Sequence, residues 1–268
     1  MNAALSAAKD AKVPVYTFGP LVHNDQVIRE LSEKGIVVVD SEEMLSKIPA
    51  GIMIIRAHGI TRELETRLKD SGFTVIDATC PFVKKIHRIV DEASRDGLPV
   101  LIVGDGTHPE VKGICGWVNG PVSVIKEPEE VEKLTFSKSE PLKIVVQTTF
   151  QPKKLKILLE KLKNVGYNAF NIADTVCNAT RERQLEAERL SETSDVMIVI
   201  GGEHSSNSQK LYEICKNNCD HTYFIQTSGD LRPEWFQEAK TVGITAGAST
   251  PKKIIMEVQT KCRNLNKC

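Results

Sequence analysis

The sequence predicts an α/β protein in which parallel sheets are built from similar, repeated segments. Short apolar runs rich in β-branched residues alternate with amphipathic stretches along the 268 residues, and this alternation is typical of parallel sheets covered by helices. A cysteine-containing turn occurs twice, and a polar turn follows each copy at the same distance. Self-similarity of this kind indicates repeated units, and the length allows two or three small lobes.

Strands are expected where β-branched apolar runs are short, and helices where apolar residues recur every three or four positions. The expected strands are residues 14–18, 36–39, 51–55, 73–76, 100–104, 122–125, 144–146, 196–202 and 242–245. The expected helices are the second half of one at 1–11, then 26–34, the stretch around Leu64 and Leu68, one after Pro81, a short one from Pro128, 152–164, one after Cys177 through Arg189, one around Leu211 and one after Pro251.

The first cysteine turn joins the strand at residues 73–76 to the helix after it. Thr79 or Cys80 can cap that helix, and Pro81 suits its first position. The sulfur of Cys80 is therefore expected near a helix N-terminus, where partial positive charge favours a thiolate, the form that binds metal.

The second copy repeats both the turn and the spacing. Cys177 follows Asp174 by three residues, as Cys80 follows Asp77. From Cys80 to His108 is 108 − 80 = 28 residues, and from Cys177 to Ser205 is 205 − 177 = 28 residues. Two segments thus share one plan.

The first segment has polar turns at His23 and His58 but no cysteine turn. A step of 28 residues back from His23 gives 23 − 28 = −5, a position before Met1. We therefore expect that the chain begins inside its own first βα unit, through a misassigned start, a shortening or a natural short form.

Composition narrows the classes of partner. The 35 basic and 35 acidic residues leave no net charge, so no basic tail or stripe indicates nucleic acid. No apolar run approaches the roughly 18 residues of a membrane span, and no signal peptide is recognisable. The cytoplasm is the expected compartment, where the seven cysteines would be thiols or metal ligands rather than disulfides.

Ligands of parallel sheets bind beyond the carboxyl ends of the strands. Eight polar or ligand-type residues fall at such ends: His23, His58, Cys80, His108, Thr148, Cys177, Ser205 and Ser249.

Some of these residues suit an anionic, phosphorylated ligand. Ser205, Ser206, Asn207 and Ser249 come just before helices, where free backbone N–H groups attract anions, although ordinary capping explains any one of them. Three histidines could donate to the same kind of ligand or could simply be core residues: His23, His58 and His108. Three further histidines lack this placement: His87, His204 and His221.

Three thiolates from three segments would suit an iron–sulfur cluster with one open iron. Zinc is the competing metal, but Cys80 and Cys177 are 177 − 80 = 97 residues apart and no CxxC pair occurs. A buried, inert thiol is the remaining alternative for each. Packing or incidental roles are expected for the other cysteines: Cys115, Cys215, Cys219, Cys262 and Cys268.

Glu110 follows His108 by two residues in the same turn. A carboxyl beside a metal site and an anionic ligand is a candidate proton donor, because burial and the anion both raise its pKa. Its alternative role is that of a helix-start glutamate facing the dipole. Thr148 could orient or relay the proton, or simply cap a strand end.

Seven motifs in order resemble the family of 4-hydroxy-3-methylbut-2-enyl diphosphate reductases (IspH/LytB). They are Gly19-Pro20-Leu21-Val22-His23-Asn24, Arg56-Ala57-His58-Gly59, Asp77-Ala78-Thr79-Cys80-Pro81, His108-Pro109-Glu110, Gln147-Thr148-Thr149, Ser205-Ser206-Asn207-Ser208 and Thr245-Ala246-Gly247-Ala248-Ser249.

The resemblance implies three lobes, at residues 1–79, 80–176 and 177–268, in a pseudo-threefold arrangement around a central 4Fe–4S cluster. It implies reductive dehydroxylation to isopentenyl and dimethylallyl diphosphate, the last step of the non-mevalonate isoprenoid pathway. Cys80 and Cys177 would hold the cluster, and Glu110 would deliver protons with Thr148 beside the substrate hydroxyl. The diphosphate would be held by His23, His58, His108, Ser205, Ser206, Asn207 and Ser249.

The family also implies a small ferredoxin or flavodoxin as the electron donor. One departure stands out, because the family carries its first cluster cysteine in an N-terminal Gly-Phe-Cys-type motif that this chain lacks. Three other functions therefore stay open: a non-catalytic diphosphate-binding paralogue, an inactive truncated form and a zinc-dependent phosphohydrolase.

Overall fold

The computed structural model describes residues 11–21 and 25–265, without the side chains of residues 25–27. The helix expected over residues 1–11 lies almost wholly outside this range, and so do His23 and Cys268. Described residues form three sheets in which every strand pair is parallel, which confirms the predicted α/β class.

The first sheet has four strands in the order β2-β1-β3-β4. Its strands are β1 (Val15–Phe18), β2 (Ile36–Val39), β3 (Ile52–Ile55) and β4 (Thr74–Asp77). The helices along this stretch are α1 (Asp25–Glu33), α2 (Glu42–Leu45) and α3 (Arg62–Asp70).

The second sheet repeats the same order, β6-β5-β7-β8. Its strands are β5 (Val100–Val103), β6 (Val122–Ile125), β7 (Leu142–Val146) and β8 (Phe170–Ala173). The helices here are α4 (Pro81–Arg95), α5 (Pro109–Cys115) and α6 (Pro152–Asn164), and the short helix at Pro128–Lys133 is of the 3-10 type.

The third sheet has three strands in the order β10-β9-β11. They are β9 (Val196–Ile200), β10 (Thr222–Ile225) and β11 (Val242–Ala246). The helices are α7 (Asn178–Thr193), α8 (Ser206–Asn218) and α9 (Lys252–Leu265), with 3-10 turns at Ser228–Asp230 and Pro233–Phe236.

Two compact units group the described residues. The first comprises residues 11–21 and 29–176 and holds two sheets, and the second comprises 25–28 and 177–265 and holds the third. Strands change sheet between Asp77 and Val100 and again between Ala173 and Val196. The lobe boundaries expected after residues 79 and 176 fall in these intervals and stay predictions.

Strand β5 shows why the central strands are continuously apolar. Its four side chains are all buried, Leu101 and Val103 in the cluster that contains α6 residues and Val100 and Ile102 in the cluster that contains α4 residues. A parallel strand covered on both faces has no solvent side, so no polar alternation is needed. Of the helices in the described part of the chain, none is long and apolar enough to cross a membrane.

Strands β8 and β10 are missing from the sequence prediction. Both lie at the edge of their sheets. No side chain of β8 is fully buried, and in β10 Tyr223 and Phe224 are only partly buried. An edge strand with one exposed side needs no continuous apolar run, so the sequence signal that identified β5 and β9 is weak there.

Candidate active site

The two cysteine turns have the same local structure. Cys80 is the N-cap of α4 with φ −55° and ψ 134°, and Cys177 is the N-cap of α7 with φ −64° and ψ 134°. Neither side chain makes a capping hydrogen bond, and both residues are partly exposed. The repeat predicted from spacing therefore exists as two thiols in equivalent positions at helix starts.

In each turn, an aspartate side chain accepts a hydrogen bond from the backbone N–H two residues further along the chain. The Thr79 N–H donates to Asp77 Oδ1 at 2.9 Å, and the Val176 N–H donates to Asp174 Oδ1 at 3.3 Å. Burial alone would raise the pKa of Asp77, but hydrogen bonds from Lys84 and Thr79 outweigh it and lower that pKa. An ionised aspartate is the better acceptor for the N–H that shapes the turn.

The other described cysteines lie away from these turns. Cys215, Cys219 and Cys262 are buried in apolar clusters of the second unit. Burial, with a smaller contribution from the neighbouring Cys219, raises the pKa of Cys215 to about 12, so Cys215 stays a protonated, unreactive thiol.

Glu110 and Thr148 form a buried pair at the carboxyl edge of the second sheet. Glu110 is in the first turn of α5 and only 2% exposed, and Thr148 follows β7. Glu110 Oε1 accepts from the Thr148 N–H at 2.7 Å, and Oε2 accepts from the Thr148 hydroxyl at 2.8 Å. Burial raises the pKa of Glu110, against the lowering effect of the two Thr148 hydrogen bonds.

His108 is the N-cap of α5, and its Nδ1 accepts from the Glu110 N–H at 3.1 Å. A backbone N–H can only donate, so Nδ1 must be unprotonated and a neutral His108 carries its proton on Nε2. The ring of His58 meets that of His108 edge to face, with centroids 5.0 Å apart. The structure thus brings the two histidines together, and their role as ligand donors stays a prediction.

A glycine directly after α5 allows this approach. A Cβ at Gly116 would lie 2.4 Å from Thr61 Cβ, so only glycine lets the chain after His58 run this close to α5. The Trp117 Nε1–H donates to the Ile60 carbonyl at 2.9 Å and fixes the same contact. These two contacts hold the chain after His58 against the end of α5, the helix that begins at the His108 turn.

Gln147 and Arg56 are polar strand-end residues that the sequence analysis assigned no role. Gln147 Oε1 accepts from the Asp105 N–H at 3.0 Å, while its buried Nε2 has no hydrogen-bond partner among the described residues. Arg56 fits against Gly19, where a Cβ would lie 2.2 Å from its Nη1. Burial lowers the pKa of Arg56, and Asp40 partly offsets this. The position of both residues at strand ends was the sequence signal that could have identified them as candidate site residues.

The second unit has a polar site at the start of α8. Ser205 is the N-cap, and its Oγ accepts from the Ser208 hydroxyl at 3.0 Å. Ser208 is fully buried between two glycines, since a Cβ at Gly201 or Gly247 would lie 2.2 or 2.1 Å from its Oγ. Ser208 therefore brings the ends of β9 and β11 up to the helix start.

Asn207 is the member of this site with unused hydrogen-bonding capacity. It is 8% exposed, and neither its Nδ2 nor its Oδ1 has a partner among the described residues. Buried amides are normally satisfied, so an unpaired one at a helix N-terminus indicates a place for a polar ligand. Ser206 is half-buried, and Ser249 is exposed in the turn after β11. That turn is held by Thr250, whose Oγ1 donates to the Ile200 carbonyl at 3.0 Å.

The family described as "LytB protein" matches residues 1–263 of this chain. A Caldanaerobacter subterraneus subsp. tengcongensis protein named 4-hydroxy-3-methylbut-2-enyl diphosphate reductase is 42% identical over 261 residues, 97% of this chain and 89% of the relative. A Geobacter metallireducens protein of the same name is 41% identical over 262 residues, 97% of this chain and 90% of the relative.

Two solved structures are also similar. The E-1-hydroxy-2-methyl-but-2-enyl-4-diphosphate reductase from Plasmodium falciparum superposes with a TM-score of 0.89 at 27% identity, covering 98% of this chain and 81% of the other. A second, (E)-4-hydroxy-3-methyl-but-2-enyl diphosphate reductase, the terminal enzyme of the non-mevalonate pathway, gives a TM-score of 0.70 at 38% identity, covering 98% of this chain and 92% of the other. Together with the repeated cysteine turns, these matches show that the chain belongs to the LytB protein family.

Proposed function

We propose that this chain is a 4-hydroxy-3-methylbut-2-enyl diphosphate reductase, the oxidoreductase that ends the non-mevalonate isoprenoid pathway. It would remove the allylic hydroxyl and give isopentenyl and dimethylallyl diphosphate. The observation that carries the proposal is the buried Glu110–Thr148 pair beside His108, a proton source built next to donors for an anion. The names of the relatives support the same reaction.

The diphosphate would be bound by neutral donors. The Nε2–H of His108 suits one phosphate oxygen, with His58 next to it in the first unit. In the second unit, the unpaired Asn207 side-chain amide at the N-terminal end of α8 suits an anion. The same role is proposed for His23, which lies outside the described residues, and for Ser205, Ser206 and Ser249.

Glu110 would deliver the proton that turns the hydroxyl into water. Burial favours its protonated form, in which Oε2–H donates to Thr148 Oγ1. The Thr148 hydroxyl is then free to donate to the substrate oxygen, so that one proton passes along the pair as the C–O bond breaks. Overall, two electrons and two protons are consumed, one hydrogen ends on carbon and water leaves.

The family implies a 4Fe–4S cluster as the electron source. Cys80 and Cys177 fit such a cluster as thiolate ligands, because both are partly exposed, make no capping bond and sit at helix starts that favour the anionic form. Residues 1–79 contain no cysteine to serve as the third ligand. When bound, the cluster would pass electrons to the substrate and offer an open iron to its hydroxyl oxygen. We also propose a cytoplasmic location and a small ferredoxin or flavodoxin as the donor.

The deciding experiment is anaerobic reconstitution with iron and sulfide, followed by turnover with reduced methyl viologen. We expect bound iron and acid-labile sulfide, and conversion of the substrate to the two products. Diphosphate binding without bound iron or turnover would instead support the non-catalytic paralogue.

A further inference from the structure

We propose that the exposed N-terminal half of α4 docks an acidic one-electron carrier protein. The surface, termed the α4 basic face, consists of Phe82, Lys84, Lys85 and Arg88. The inference rests on the proposed function, because a reductase that takes two electrons one at a time needs a carrier to bring them. Two reduced carriers would each give up one electron to a single substrate molecule.

Phe82 is the apolar centre of this face. It is 43% exposed, although Val83, Ile86 and Val90 on the same helix are fully buried. The buried residues fix the orientation of the helix, so Phe82 is held in solvent by packing on the other side. A fixed exposed aromatic among charged residues is a typical anchor of a protein interface.

The charged side chains that the first ten residues of α4 carry are all cations. Residues 81–90 contain Lys84, Lys85 and Arg88 and no acidic residue. Lys85 has no (i,i+4) ion pair and lies far from the last turn, where cations stabilise a helix, so local helix energetics do not explain it. Lys84 pairs with Asp77 at 2.5 Å and Arg88 with Glu92 at 3.7 Å, whereas Lys85 has no ion pair with any described residue. With Lys84 and Arg88 paired, Lys85 leaves the face with a net positive charge, which can complement an acidic surface.

The place of this face in the chain suits electron entry. Phe82 is two residues from Cys80, a helical rise of about 3 Å, so a carrier bound here would reach a proposed cluster ligand directly. The matching helix after Cys177 exposes Asn178, Ala179 and Glu182 at its start, without an aromatic residue. That helix also exposes Leu185, but Glu182 and Glu186 are exposed beside it. Of the two cysteine turns, only the one at Cys80 is therefore followed by an exposed aromatic residue whose charged neighbours on the helix are all cations.

The test compares three variants in binding to an acidic [2Fe–2S] ferredoxin, measured by calorimetry at about 50 and about 200 mM NaCl. Lys85→Glu should weaken binding by about tenfold and reduce its salt dependence. Phe82→Ala should weaken it several-fold at both salt concentrations. The control, Lys163→Glu, reverses an exposed charge on α6 and should leave the dissociation constant nearly unchanged.

Turnover with reduced methyl viologen separates docking from chemistry, because a small dye needs no protein surface. We expect all variants to match the wild type with the dye, while Lys85→Glu and Phe82→Ala are slower with ferredoxin. Equal dissociation constants for all four proteins would overturn the docking surface. An absence of dye-driven turnover in the wild type would overturn the proposed function alone, and the dissociation constants would still decide the docking surface.

Discussion

Glu110 and Thr148 form a hydrogen-bonded pair in which one carboxyl oxygen can carry a proton. Replacing Glu110 with glutamine keeps both contacts, because the amide oxygen still accepts from the Thr148 N–H and the amide nitrogen can donate to Thr148 Oγ1. The variant removes only the transferable proton. We expect dye-driven turnover to fall about 100-fold or more, with substrate binding retained.

Thr148 supplies the matched control for this relay. Thr148→Ser keeps the hydroxyl and should retain most activity, whereas Thr148→Val should lose it together with the Oε2 contact. Similar turnover for the serine and valine variants would contradict a relay through this oxygen.

The pH dependence of the stability of Glu110→Gln tests the raised pKa of Glu110 independently of turnover. The pKa of Glu110 is raised in the folded protein, so its contribution to stability is present below the ordinary pKa and is lost as pH rises above it. Urea unfolding should therefore show a gain for the variant at about pH 7 that is smaller at about pH 4.

His87 is a second buried titratable residue, outside the proposed site. It is 6% exposed, its ring stacks on Trp117 at 5.0 Å, and its Nε2 has no hydrogen-bond partner among the described residues. Burial lowers its pKa from 6.5 to about 4. As the pH falls below 6.5, the unfolded chain therefore binds a proton before the folded chain does. The free energy of unfolding should fall by about 3 kcal/mol in all between pH 6.5 and about pH 4.

His87→Phe should keep the stacked ring and remove this pH dependence. We expect urea unfolding midpoints at about pH 7 and about pH 5 that differ less than those of the wild type. His221→Gln, at an exposed histidine, is the control and should leave the wild-type pH dependence in place. If the difference between the two midpoints were the same in His87→Phe as in the wild type, another group would be responsible for the pH dependence.

At the scale of elements, Ser208 joins α8 to two strands through two glycines that are not equivalent. A Cβ at Gly247 would lie 2.1 Å from Ser208 Oγ but 3.3 Å from its Cβ. A Cβ at Gly201 would lie 2.2 Å from Oγ and 2.4 Å from Cβ. Removing the Ser208 hydroxyl therefore removes most of the clash with a methyl group at Gly247, but not the clash with one at Gly201.

This geometry predicts a difference between two double mutants. Gly247→Ala should cost about 1–3 kcal/mol of unfolding free energy, and Ser208→Ala should restore much of it. Gly201→Ala should cost at least as much and gain little from Ser208→Ala. Chemical denaturation of the five variants measures both coupling energies. Equal coupling at the two glycines would mean that the packing adjusts around Ser208.

Features that depend on local sequence signals could be predicted from the sequence, and features that depend on contacts between distant segments could not. The bounds of α6 agree with the sequence prediction because its apolar period and its proline start are local signals. The cysteine turns and the Glu110–Thr148 pair were anticipated because strand ends can be located from such signals. The role of Ser208 and the unpaired amide of Gln147 depend on contacts between distant segments, which a single sequence does not display.

For the whole molecule, the 28-residue repeat is realised as equivalent turns at Cys80 and Cys177 in separate units. The repeat and the family predict that both thiols serve one cofactor, with no third cysteine in residues 1–79. The cysteines buried elsewhere have no such position, and burial raises the pKa of the Cys115 thiol. A chain that uses its repeated turns as ligands should lose the cofactor when either one is changed.

We therefore expect Cys80→Ser and Cys177→Ser each to lose most of the iron and acid-labile sulfide that the wild type retains after anaerobic reconstitution. Each removes one of the two thiolates that the repeated turns would supply to the proposed cluster, so we expect neither loss to be tolerated. Cys115→Ser, a change of the same size in the first unit, is the matched control and should retain the wild-type content. Iron loss equal in all three variants would indicate general damage to folding, and iron retained in either turn variant would remove that cysteine from the ligand set.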